Sequence, residues 1–136
     1  MFLYTDGGSR GNPGPGGWGA ILVNQEDQAV WSICGKCPKT TNNIMELTAV
    51  ICGLERLEEG EEVTVCTDSM YVKNGITQWV HNWKRNNWTT AKGTPVKNKD
   101  LWVQLDALVQ TRSVVFKWVK GHAGNKWNEK VDQLTR

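Results

Sequence analysis

Apolar and polar positions along this chain follow two periods. From Asn42 to Glu58, Ile44, Leu47, Ile51, Leu54 and Leu57 recur at the three-to-four spacing of one helical face, which predicts the clearest helix. Asn98–Gln110, with Leu101, Leu105 and Leu108 on one side, predicts another, and a last helix from about Asn125 carries Trp127, Val131 and Leu134. Met70 to about Asn87 reads as helical with a break near Val80. Short β-favouring runs predict strands at Phe2–Asp6, Trp18–Val23, Ala29–Lys36, Val63–Thr67 and Val114–Val119. Asn24–Gln28 suits a hairpin loop, and Thr89–Lys97 a polar loop around Gly93 and Pro95. Gly7–Gly17 holds too many glycines and prolines for regular structure on this reading.

Strands first, then helix and strand in alternation, predict an α/β fold. Its mixed sheet opens with an antiparallel hairpin and continues through right-handed parallel crossovers. A length of 136 residues suits one domain spanning 1–136. No apolar run reaches membrane-spanning length and the start lacks a secretory pattern, so the expected setting is soluble and cytoplasmic, without a membrane partner. Cys52 and Cys66 read as small core residues. Cys34 and Cys37 form a CxxC with no second ligand pair nearby, and the structural reading is preferred over zinc or redox chemistry.

The net charge of +2 does not announce a nucleic-acid binder, but its distribution does more. Between Trp79 and Asp100, Lys84, Arg85, Lys92, Lys97 and Lys99 face the single acid Asp100, which suggests a basic arm on a near-neutral body. Tryptophans are interleaved with those cations. Cations contact phosphates, and exposed indoles pack on sugars or bases. Trp79 and Trp83 also fit an amphipathic core face, which leaves Trp88 as the better contact candidate.

Two predicted strands end in aspartate, at Asp6 and Asp68, and α/β sheets gather their sites at the carboxyl ends of parallel strands. Each Asp alone also reads as a turn opener. Glu46 stands early in the helix between those strands, where Asn43 and Glu46 also fit a capping box. Asp132, on the last helix, also reads as a solvating residue. Clustered carboxylates repel unless a cation offsets them, and Mg²⁺ favours oxygen ligands shared with substrate phosphates. His122, in Lys120-Gly121-His122-Ala123-Gly124, titrates near neutral pH and suits proton shuttling or product release. His81 is read as structural.

Five segments together resemble the type 1 ribonuclease H family. They are Tyr4–Ser9 with Gly11–Gly14, Thr41–Leu47, Thr67–Val72, Trp118–Gly124, and Asn128-Glu129 with Asp132. The resemblance implies a five-stranded mixed sheet flanked by helices, with a basic protrusion at Trp79–Lys99. It implies that Asp6, Glu46, Asp68 and Asp132 bind two Mg²⁺ (or Mn²⁺) ions, with His122 assisting turnover. The implied activity is hydrolysis of the RNA strand of RNA/DNA hybrids by a monomer, leaving 5′-phosphate and 3′-hydroxyl ends. Asn12, Asn42 and Asn43 would then meet the hybrid backbone, and Thr41 and Trp83 the DNA strand. Lys84, Arg85, Trp88, Lys97 and Lys99 would supply arm contacts. Two departures stand out: Met70 occupies a position where the family often has glutamine, and Asp132 lies four residues before Arg136, on a helix expected to be short and to fray. The rival readings are a catalytically weak hybrid-binding module and another metal nuclease or transposase of related fold.

Overall fold

A computed structural model describes residues 1–121 and 124–136. Three strands, β1 (Phe2–Ser9), β2 (Gly14–Val23) and β3 (Ala29–Thr40), form an antiparallel meander. β4 (Glu62–Thr67) then pairs parallel to β1, and β5 (Ser113–Trp118) parallel to β4. The result is a five-stranded mixed sheet in the order β3-β2-β1-β4-β5. The helices are α1 (Asn42–Glu55), α2 (Met70–Asn74), α3 (Val80–Arg85), α4 (Lys99–Gln110) and α5 (Lys126–Leu134).

Alternation along the strands loads both sheet faces with apolar side chains. On one face Leu3, Leu22 and Val65 pack with Leu47, Val50 and Leu54 of α1 and with Trp102 and Leu105 of α4. On the other, Ile21 and Val23 meet Trp127 and Val131 of α5. The larger core lies under α1. Among the described residues, no helix is long and apolar enough to cross a membrane.

Four expectations need correction. The glycine-rich stretch is largely strand: β1 runs on to Ser9 and β2 begins at Gly14, with Gly7 opposite Trp18 and Ser9 opposite Gly16. Glycines serve close backbone approach there, for a Cβ at Gly7 would collide with the Met45–Glu46 peptide of α1. β3 extends to Thr40 and carries both Cys34 and Cys37. Residues three apart on a strand point to opposite faces, so this CxxC forms no common site, and both thiols are free.

The expected break near Val80 is a π-helical turn, Gly75–Trp79, which leads from α2 into α3 without interrupting the helical path. Finally, the turn carrying Asp132 is tied rather than frayed. The Thr135 hydroxyl donates to the Asp132 carbonyl at 2.7 Å, and the Arg136 guanidinium reaches the Asp132 carboxylate at 2.8 Å.

Candidate active site

Parallel pairing of β1 with β4 brings Thr5 opposite Thr67, so Asp6 and Asp68 emerge side by side at the same sheet edge. α1 adds Glu46 from above. Its first turn is capped by Thr41, whose hydroxyl accepts the Ile44 N–H at 3.2 Å. Thr41 therefore does the capping, and the Asn43–Glu46 capping box does not form. Glu46 instead faces the aspartates: carboxylate oxygens of Asp6, Glu46 and Asp68 all lie within 4.8 Å of one another. Both Asp6 and Glu46 are only 8 % exposed.

Such a cluster is electrostatically unfavourable on its own. Burial, then the neighbouring charges of Asp68 and Asp132, push Asp6 up to about 8. Glu46 is likewise driven well above the usual carboxylate range by burial and by Asp6 and Asp68. The backbone N–H of Gly7, lying beside both carboxylates, opposes both shifts. Asp132 of α5 is near enough to help raise Asp6, but it pairs with Arg136 and stands outside the group of three whose oxygens approach within 4.8 Å. Glu46 Oε1 is buried with no hydrogen-bond partner among the described residues. A partnerless buried carboxylate oxygen inside an all-oxygen cluster fits a hard divalent cation such as Mg²⁺ or Mn²⁺.

Comparison with known proteins shows the family. The family model described as RNase H matches residues 1–136. The chain belongs to the ribonuclease H family. A ribonuclease H of Hydrogenovibrio crunogenus is 57 % identical, over 97 % of this chain and 90 % of that protein. One from Cereibacter sphaeroides is 52 % identical, over 100 % of this chain and 92 % of its own length. Among solved structures, LC9-RNase H1, a type 1 RNase H with the type 2 active-site motif, superposes with a TM-score of 0.84 at 32 % identity, covering 98 % of this chain and 69 % of that one. LC11-RNase H1, solved with an RNA/DNA hybrid, shares the fold at a TM-score of 0.73 and 24 % identity, covering 98 % of this chain and 92 % of that one.

Within this ribonuclease H fold, the expected backbone-contact residues gather beside the acids. The Asn42 N–H donates to Asn12 Oδ1 at 3.1 Å, and Asn42 Oδ1 accepts the Ser9 N–H at 2.8 Å. Asn12 and Asn42 are exposed; Asn43 and Thr41 are half-buried next to them. Arg85, Lys97 and Lys99 stand in solvent on the arm. Lys84 pairs with Asp106 of α4 at 3.1 Å and remains 41 % exposed.

The tryptophans divide differently from the expectation. Trp83 packs among Trp79, Trp88 and Trp102, with ring centroids 5.4 to 6.4 Å away. Trp88 is half-buried in the same cluster, whereas Trp79 is 37 % exposed. The better-placed exposed indole of the arm is Trp79. His122 lies outside the described residues. Sequence reasoning also missed Trp118, whose indole N–H donates to the Asp68 carbonyl at 3.0 Å. Its sequence signals are a large aromatic at the end of a strand next to the site and its place at the start of the Trp118–Gly124 segment.

Proposed function

We propose that this chain hydrolyses the RNA strand of RNA/DNA hybrids, with Asp6, Glu46, Asp68 and Asp132 holding two Mg²⁺ ions that Mn²⁺ can replace. The observation that carries this reading is the buried carboxylate cluster, with the Glu46 oxygen left without a partner. Bound there, two such ions supply charge stabilisation for an in-line displacement at phosphorus. Relatives that are ribonucleases H and a neighbour solved with an RNA/DNA hybrid support the substrate class.

The chain's own residues do the rest. Asp6 and Glu46, anchored in β1 and α1, hold their oxygens in place so that little reorganisation is needed at reaction. Asn12, Asn42 and Asn43 meet the backbone of the hybrid, where a 2′-hydroxyl distinguishes RNA from DNA. Thr41 and Trp83 support the DNA strand, Trp83 from within the indole cluster. Lys84, Arg85, Lys97 and Lys99 attract the duplex through its phosphates, with Trp88 bracing the arm. His122 moves a proton during turnover or product release. Residues 1–136 act as one domain, as a cytoplasmic monomer.

Product ends test the reaction type. Fragments with 5′-phosphate and 3′-hydroxyl groups, found by end-labelling before and after phosphatase, are expected. Cyclic phosphate ends would mean that the RNA's own 2′-hydroxyl attacks phosphorus in place of water, and would overturn the reading. Tight hybrid binding with no cleavage in Mg²⁺ would mark the chain as a binding module instead.

A further inference from the structure

Asp68 stands just past the last residue of β4, between the sheet ladder and the start of α2. Four contacts define that position. The Val119 N–H donates to the Thr67 carbonyl at 2.9 Å, which continues the β4–β5 ladder. The Ser69 N–H donates to the Thr67 hydroxyl at 3.0 Å, and the Ser69 hydroxyl accepts the Val72 N–H to cap α2. The Asp68 carbonyl accepts only the Trp118 indole N–H, at 3.0 Å, among the described residues. At the other end of Asp68, Gly121 runs so close that a Cβ there would sit 2.9 Å from Oδ2.

The exit from β5 therefore holds Asp68 by its peptide, through Trp118, and passes close beside its carboxylate at Gly121. The Asp68 carboxylate is crowded against those of Asp6 and Glu46, and turning the Asp68 peptide would swing it out of the cluster. We infer that Trp118 is a positioning residue: its indole N–H fixes the Asp68 peptide and so keeps the Asp68 carboxylate within the acid cluster. This rests on the metal-site reading above. Trp118 is 42 % exposed, which would also suit a stacking surface for nucleic acid. The two roles separate cleanly, because stacking acts on hybrid binding and positioning acts on the ion.

The test replaces Trp118 by Phe, which keeps an aromatic face and removes the N–H. It also uses 3-benzothienylalanine at position 118, which keeps the bicyclic outline with sulfur in place of the N–H. Mn²⁺ binding to the free protein is measured by calorimetry, hybrid binding in EDTA by anisotropy, and kcat and KM on a labelled hybrid. Both variants are expected to bind Mn²⁺ roughly tenfold more weakly, the scale typical of groups that orient metal ligands. At subsaturating metal kcat falls, while hybrid affinity in EDTA and KM stay at the wild-type values. Wild-type Mn²⁺ affinity in the variants overturns the inference, as does a loss confined to hybrid affinity. A wild-type protein that binds no Mn²⁺ overturns the metal-site reading and this inference with it, whereas normal wild-type binding with unaffected variants overturns the inference alone.

Discussion

Asp6 and Glu46 are each 8 % exposed and take their positions from β1 and α1, whereas Arg85, Lys97 and Lys99 stand in solvent on the arm. The arm joins the body through buried Val96, through the indole cluster, and through Tyr71, whose hydroxyl accepts from Asn98 and from Trp102, each at 3.1 Å. Charge in the cluster is concentrated, desolvated and unfavourable until something binds it. Charge on the arm is dispersed, hydrated and screened by salt. The difference teaches where each kind of sensitivity belongs. One atom changed in the cluster alters chemistry, while several charges must change on the arm to alter attraction.

The largest expected effect tests the cluster. Asp6→Asn or Asp68→Asn removes a carboxylate from a site asked to supply several kcal/mol of transition-state stabilisation. A fall in kcat of about 10³-fold or more follows, with hybrid affinity in EDTA retained. Near-normal turnover in either variant would break the comparison at its stronger end.

Next comes the boundary between arm and body. Trp83→Ala should cost roughly 3 kcal/mol of stability, because its ring is packed among three other indoles. Trp79→Ala, at an exposed site, should cost about 1 kcal/mol or less. Denaturant melts decide this, and equal losses would mean that the indoles form one undivided surface.

Neutralising Arg85, Lys97 and Lys99 together should raise KM and leave kcat nearly unchanged. Each lost phosphate contact flattens the logarithmic salt dependence of hybrid binding by roughly 0.7 to 0.9. Lys84 should contribute less, since Asp106 already holds it. An unchanged slope would remove the arm from the interface.

A separate test is stability against pH. Asp6 titrates near 8 in the fold against an ordinary 3.8. Between those values the native protein keeps a proton that the unfolded chain has lost, so metal-free stability falls as pH rises through that window. Below about pH 4 both states are protonated and the contribution is constant. The melting temperature of Asp6→Asn in EDTA should therefore gain on wild type from about pH 4 to 8, and Mg²⁺ should close the gap. Parallel melting curves across that range would show that Asp6 carries no such burden.

The site was legible because its chemistry repeats along the chain. Two strands ending in aspartate, with a helix between them bearing Glu46, already imply convergence once parallel pairing is assumed, and the register confirms it. Motif resemblance then supplied the order of the family's segments, which the whole-chain family match bears out. What was illegible depends on tertiary neighbours. Glycines in β1 and β2 looked like breakers because a sequence does not display the α1 backbone pressing on Gly7. Glu46 resembled a capping residue until Thr41 took that role. Trp79 and Trp88 could not be ranked for exposure by composition, since the burial of Trp88 arises from its contact with Trp83. The Trp118–Asp68 bond joins residues fifty apart, and no local pattern announces it.

The most direct measurement of the central claim is cleavage of a strand-labelled RNA/DNA hybrid, run beside RNA and DNA duplexes, in Mg²⁺, Mn²⁺ or EDTA. Loss of the hybrid's RNA strand alone, in either metal and not in EDTA, is the predicted result. Cleavage that persists in EDTA, or that consumes the RNA and DNA duplexes equally, would contradict a metal-loaded carboxylate site selective for hybrids.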